Sequence, residues 1–169
     1  SGLLLIAKQP HIQAALTSAS SPRFHRQYLG VARGQLRPTE GTIDLPLGRK
    51  PGSLIEQQPS PEGKSAKTRY RVLAETEGAS LLALAPITGR THQIRVHLAA
   101  LGHPLVGDDL YGVPSPLIAR QALHAYRLDL IHPVTRQPLS VSAPPPDDFL
   151  RLSALFKRPA WEKALQGLF

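Results

Sequence analysis

The stretch PITGRTHQIRVHLAALGHPLVGDDLYG, residues 86–112, decides how the rest of the chain is read. It opens on Pro86 with a turn signal at Thr88-Gly89 and runs into a helical pattern that stops at Gly102, with Pro104 just beyond. A glycine past the last turn and a proline after it form a helix terminus, because glycine enters the left-handed region freely and proline cannot continue the helix. Inside this segment Ile94, His97, Leu98 and Leu101 fall at helical spacing and predict a core-facing stripe on a helix of about three turns. His92, Arg95 and Ala99 lie on a different face, and Arg90 sits at the turn leading in. The segment therefore offers an imidazole and two guanidinium groups to whatever the remaining chain places opposite.

Outward from that helix, alternation dominates. RQYLGVAR (26–33), KTRYRVLA (67–74) and 79–85 alternate as strands, with Glu77-Gly78 as a turn between the last two. A short strand is expected at 42–47, and two more at 122–131 and 138–143, joined by a turn at 132–135. Residues 2–8, GLLLIAK, read as a buried strand because the apolar run is continuous. Helices are expected at 10–19, at 149–156 after a cap at Asp147 or Asp148, and at 160–168. Strands in hairpin-like runs with a few helices between them argue for an α+β fold with a mixed, largely antiparallel sheet and flanking helices, in one domain over 1–169.

The chain has 169 residues, 41% hydrophobic and 19% charged, enough for one core. Its 20 Lys+Arg against 12 Asp+Glu give a formal charge of +8, which suits a polyanionic partner or a basic surface kept for solubility. There is no cysteine, which excludes disulfides, a thiol nucleophile and thiolate metal sites, and fits a cytoplasmic protein. No apolar run approaches the ~18 residues of a membrane span. With no methionine, a first residue Ser1 and apolar residues from position 2 onward, the chain reads as a fragment that lacks its N-terminal part.

No phosphate-binding glycine loop and no GxSxG elbow is present, so nucleotide hydrolysis, dinucleotide redox chemistry and elbow-type serine hydrolysis are disfavoured. His92, His97 and His103 are spaced by five and six residues, not as a helical ligand pair, and no metal is expected. His97 fits a structural role, and His92 a functional one. Basic residues recur beside an aromatic at Arg23, His25, Arg26 and Tyr28, and again at Lys64, Lys67, Arg69, Tyr70 and Arg71. Such groups stack on unpaired bases and hold phosphates, or occupy the solvated and buried faces of a strand.

TGRTHQIRVHLAALGHPLVGDDLYG resembles a signature of the RluA-type pseudouridine synthases. SGLLLIAK resembles the strand after that family's catalytic segment, and RQYLGVARG its active-site tyrosine strand. GKSAKTRYRVL, LHAYRLDLIHP and the late APPP follow in the family's order, over roughly residues 1–150. The resemblance implies a cofactor- and metal-free isomerase that turns uridine into pseudouridine in rRNA or tRNA, acting as a monomer on a base flipped into a cleft. It implies that Tyr28 packs on the uracil and assists the proton at carbon 5. It also implies that Arg95 pairs with a nucleophilic aspartate, favouring its ionised form. Arg26, Arg90, His92 and Gln93 are the implied RNA contacts.

One departure stands out. The family's aspartate sits in an HRLD segment just before the SGLLLIAK match, and Asp44, Asp108, Asp109, Asp129, Asp147 and Asp148 do not match its place. Residues 1–169 are accordingly expected to be an incomplete, inactive catalytic domain. Arg95 is expected to face a vacant position and take up an anion. The competing readings are a non-catalytic basic RNA-binding module and a protein-interaction domain unrelated to RNA.

Overall fold

Residues 80–84, SLLAL, are buried without a break. A strand covered on both faces belongs inside a sheet, and that is where the computed structural model, which describes residues 1–17 and 24–156, places it. In chain order the elements are α1 (Pro10–Thr17), β1 (His25–Arg33), β2 (Glu40–Asp44), β3 (Leu47–Arg49), β4 (Gln57–Pro59) and β5 (Lys67–Glu75). They continue with β6 (Ala79–Pro86), α2 (Gln93–Ala100), β7 (Leu123–Ile131), β8 (Pro138–Ser142) and α3 (Asp147–Ser153). The main sheet has the order β2-β5-β6-β1-β7-β8, and β3-β4 form a separate hairpin. Every pairing between these strands is antiparallel, so the α+β class with a largely antiparallel sheet holds.

Side chains alternate across a strand with period two, and the core divides accordingly. Leu29 and Val31 of β1 stand opposite Ala83 and Leu81 of β6, and these four pack on Phe149 and Leu152 of α3. Leu82 and Leu84 point to the other face, with Ala32, and pack on Ile94 and Leu98 of α2. Burying each such side chain stabilises the fold by about 1.5–3 kcal/mol before entropy is counted. Tyr28 packs on the α2 side. The register between β1 and β7 slips at Gln27/Tyr28, a bulge of the kind that re-aims a side chain.

Several sequence expectations need correction. The strand expected at 2–8 is a single parallel bridge from Gly2 to Ala125, and Leu4 and Ile6 are 81% and 72% exposed. An apolar run specifies burial only where a partner surface exists, and beyond Leu3 the described residues supply no ladder. The strand expected at 42–47 is split into β2 and β3 around Pro46, which lacks the donor a continuous ladder needs. Helix α2 spans eight residues, about two turns rather than three. Its C-terminus is as expected: Gly102 has φ +81° and His103 N–H bonds the Leu98 carbonyl at 2.9 Å. Leu101, expected in the core, caps the helix and is 42% exposed, while Val96 is buried against Leu47 and Ala66. Helix α3 begins at Asp147 after Pro146 and has no side-chain cap bond. Asp148 instead pairs with Arg120 at 2.9 Å. Residues 18–23, with Arg23, and the helix expected at 160–168 lie outside the described residues.

Candidate active site

The turn at 88–92 brings α2 to the edge of the sheet, and a buried amide holds it there. The Thr88 hydroxyl and the Arg90 backbone N–H both donate to Gln93 Oε1, at 2.7 and 3.0 Å. Gln93 Nε2 donates to the Lys67 carbonyl at 2.9 Å and to Thr68 Oγ1 at 3.0 Å. Gln93 is 4% exposed. It borders the cleft, but both ends of its amide are occupied within the protein, so its bonding serves the turn. Burial and these internal bonds give the Gln93 side chain a structural role beside the RNA contact that the resemblance implies for it.

His92 follows in the left-handed region at φ 54°, an unusual conformation for a residue with a Cβ. Its ring stands edge-on to Tyr111, with centroids 5.6 Å apart at 76°, and its Nδ1 lies 2.9 Å from the Tyr111 hydroxyl. Burial lowers the His92 pKa below the usual histidine value, and the Arg95 charge lowers it further against a smaller opposing effect of Asp108.

Arg95 is not facing a vacancy. Its Nε and Nη2 donate to Asp108 Oδ2 and Oδ1 at 2.8 and 2.7 Å, with the Asp108 side chain fully buried and that of Arg95 11% exposed. Asp108 Oδ1 also accepts the Leu110 and Tyr111 backbone N–H groups at 3.1 and 3.0 Å. The expectation that Arg95 lacks a protein partner is therefore overturned. A residue dismissed as the nucleophile turns out to be the arginine's buried partner. Burial alone would raise the Asp108 pKa, but the Arg95 fork and the two amides outweigh it and hold the carboxyl below its usual value. The pairing is side-on, through Nε and Nη2, so Nη1 is not spent on Asp108. The guanidinium carbon sits 5.0 Å from the centre of the Tyr111 ring, in cation–π range.

These groups share a cleft of about 290 Å³, bordered by Arg26, Tyr28, Arg90, His92, Gln93 and Arg95. All six residues singled out from the sequence thus meet in one place. Arg26 reaches it from β1. A Cβ at Gly89 would sit 3.0 Å from Arg26 Nη2, so the bare glycine lets the guanidinium lie against the turn. Arg26 Nε is buried without a hydrogen-bond partner among the described residues. Arg90 is exposed and donates from Nε to the Ser65 carbonyl at 3.0 Å. Arg26 and Tyr28 also border a neighbouring apolar cavity of about 530 Å³ that includes Leu3, Leu4 and Leu5.

His97 and His103 serve the fold. His97 is fully buried, with Nε2 3.0 Å from the Leu45 carbonyl and Nδ1 2.9 Å from Thr68 Oγ1. His103 Nδ1 donates to the Arg33 carbonyl at 2.8 Å. Sequence reasoning missed the parts played by Asp108 and Tyr111. An aspartate whose oxygen takes the N–H groups two and three residues on is an Asx-turn pattern, which the DDLY run could have suggested. The arginine it would pair with was not readable.

Comparison with known proteins bears on the family and the fold. A family model described as RNA pseudouridylate synthase matches residues 1–100. The uncharacterized RNA pseudouridine synthase YjbO of Bacillus subtilis (strain 168) is 43% identical over 153 residues, covering 90% of this chain and 54% of that protein. Ribosomal large subunit pseudouridine synthase D of Nitrosomonas europaea is 42% identical over 161 residues, covering 89% and 46%. The solved structure of human RNA Pseudouridylate Synthase Domain Containing 1 superposes with a TM-score of 0.68 at 28% identity, covering 86% of this chain and 66% of that one. The chain spans about half the length of these curated relatives. With the family model over residues 1–100, the fold shared with the human domain and the tyrosine strand beside the arginine helix all in agreement, the chain belongs to the RNA pseudouridylate synthase family, of the RluA type.

Proposed function

We propose that residues 1–169 form one incomplete catalytic domain of an enzyme that isomerises uridine to pseudouridine in RNA. The observation that carries this reading is the convergence of Tyr28, Arg26, Arg90, His92 and Arg95 on one cleft. In the reaction the N1–C1′ bond of uridine breaks, the uracil turns, C5 bonds to C1′, the C5 proton leaves and N1 takes up a proton. Atoms balance with no cofactor, metal or redox partner. Tyr28, half-buried at the junction of the cleft and the apolar cavity, suits a planar base packed against its ring. Arg95, held side-on by Asp108, suits a nucleophilic carboxylate approaching through Nη1. Asp108 itself is a poor nucleophile, because it is buried and both its oxygens are committed. With Asp44, Asp109, Asp129, Asp147 and Asp148 also outside the lining of the cleft, residues 1–169 alone are expected to form no pseudouridine.

Arg26, Arg90 and His92 are the RNA contacts of this reading, and the formal charge of +8 favours a phosphate backbone. Ribosomal RNA is the first substrate to test, because a relative from Nitrosomonas europaea is named for the large ribosomal subunit; tRNA is the second. Among the described residues no helix is long and apolar enough to cross a membrane, and a cytoplasmic monomer fits a partner of this kind. The second reading, a basic RNA-binding module without catalysis, rests on the commitment of Asp108 and on the charge.

The test compares the full-length gene product with residues 1–169 on rRNA and tRNA transcripts, scoring pseudouridine by carbodiimide-dependent primer-extension stops. The full-length product should form pseudouridine and residues 1–169 should not. Tyr28→Phe in the full-length product should lower kcat by about 10²–10⁴-fold if the hydroxyl handles a proton. RNA binding with steep salt dependence but no pseudouridine from the full-length product would establish the binding module instead.

A further inference from the structure

Tyr111 touches four residues around the cleft, and the two contacts of its hydroxyl bear on a proton. Its hydroxyl accepts the Gln57 backbone N–H of β4 at 2.9 Å. The remaining partner of that hydroxyl is His92 Nδ1, also at 2.9 Å. A phenol that accepts one hydrogen bond still has its own proton to donate, and His92 Nδ1 is within reach to accept it when the imidazole proton lies on Nε2. The Tyr111 ring meanwhile lies edge-on to His92 and under Arg95, and its backbone N–H bonds Asp108.

We propose that Tyr111 is a positioning residue that holds His92 as a neutral imidazole, presenting Nε2–H to the cleft as a donor for an uncharged oxygen of the bound nucleotide, such as a uracil carbonyl. This rests on the proposed function for its substrate, but not for the tautomer. An imidazolium gripping a phosphate is the opposite assignment, and the surroundings disfavour it. The charged groups around His92 are Arg95 on α2, Arg90 on the turn and Arg26 on β1, against Asp108, which Arg95 already occupies, and Asp109, which acts on Arg95. Burial and the Arg95 charge both act against protonation. The left-handed backbone at His92 is unfavourable for a residue with a Cβ, and the Tyr111 bond and ring contact help to hold it.

The role of Tyr111 also extends the site to β3-β4. That hairpin meets Tyr111 through the Gln57 backbone N–H and through Leu47, which packs with Tyr111 and Val96. No pattern in the sequence connects residues 57, 92 and 111.

The experiment is nitrogen NMR of the full-length product labelled in histidine, near pH 7, with and without Tyr111→Phe. That substitution keeps the ring and removes only the hydroxyl. In the wild type, His92 should show a bare Nδ1 and a protonated Nε2. In Y111F the two tautomers should mix, and kcat/KM on the RNA substrate should fall roughly 2- to 10-fold, the loss of one ordinary hydrogen bond. His92→Gln, which keeps a neutral donor, should retain more activity than His92→Ala. RNA affinity should not rise on acidification from pH 7.5 to 6. A protonated Nδ1 in the wild type, or imidazole signals unchanged by Y111F, would overturn the positioning role. Mixed tautomers in Y111F with unchanged kcat/KM would overturn the donor role. Because the tautomer is read in the free protein, absence of pseudouridine from the wild-type product would sink the proposed function and leave the Tyr111–His92 assignment to be judged on its own signals.

Discussion

Asp108 carries more of the site than its exposure suggests. It is fully buried, takes two bonds from Arg95 and two from backbone amides, and so holds the arginine and the 108–111 turn at once. Removing one member of a buried ion pair leaves the other charge uncompensated, which costs about 3–5 kcal/mol. Asp108→Ala should lose about that much in urea unfolding, and Asp108→Asn less, because an amide oxygen can still accept the Leu110 and Tyr111 N–H groups. Equal losses in the two variants would show that the uncompensated arginine, not the two backbone amides, accounts for the cost. In the sequence Arg95 was legible as a charge on a helix, since helical spacing assigns faces. Its partner was not, because Asp108 arrives through a loop with no periodicity to betray where it folds back.

At the scale of elements, a glycine sets the approach to that loop. Gly107 has φ +73°, and a Cβ there would meet the Arg120 carbonyl oxygen at 2.4 Å and the Ile118 carbonyl oxygen at 2.8 Å. Those are backbone atoms, so relief requires the 118–120 loop to move. The left-handed backbone alone costs a substituted residue about 1–2 kcal/mol, and the clash adds to it. Gly107→Ala should therefore lower stability by more than that, while Gly78→Ala, with nothing within 4 Å and no positive φ, should stay within about 0.5 kcal/mol of the wild type. Paired thermal melts decide this, and equal melting shifts for the two variants would refute it. The helix start was harder to read than its end. Gly102 and Pro104 mark the C-terminus by backbone chemistry, but the N-terminus has a left-handed His92 and no side-chain cap bond. A buried Gln93 amide takes the role that a capping Ser or Asp would signal.

Across the whole molecule, what alternates was legible and what merely lacks charge was not. The strands of the main sheet announced themselves by period two and by turns between them, whereas Leu4 and Ile6 look like core in the sequence and stand 81% and 72% exposed in the structure. The buried polar groups of this fold carry a consequence for acid. His97 lies between the Leu45 carbonyl, which can only accept, and a Thr68 hydroxyl that itself accepts from Gln93. The Leu45 carbonyl therefore accepts a hydrogen bond from Nε2–H, and the Thr68 hydroxyl is placed to donate to Nδ1 of a neutral ring. Burial lowers its pKa, against smaller opposing effects of the Leu45 bond and the Asp44 charge. The unfolded chain, with a histidine near pKa ~6.5, takes up the proton first as the pH falls. Stability from this group is thus complete above about pH 6.5 and is lost as the pH falls through the depressed folded value, at up to about 1.4 kcal/mol per pH unit for one proton. Asp108 acts in a separate window, because its unfolded carboxyl titrates only near pH ~3.9. Urea unfolding between pH 7.5 and 5 should show this fall, and His97→Asn should lower stability at neutral pH while flattening the slope. Parallel slopes in the two proteins would move the acid sensitivity to another buried group, with His124, 2% exposed and also depressed by burial, the next to replace.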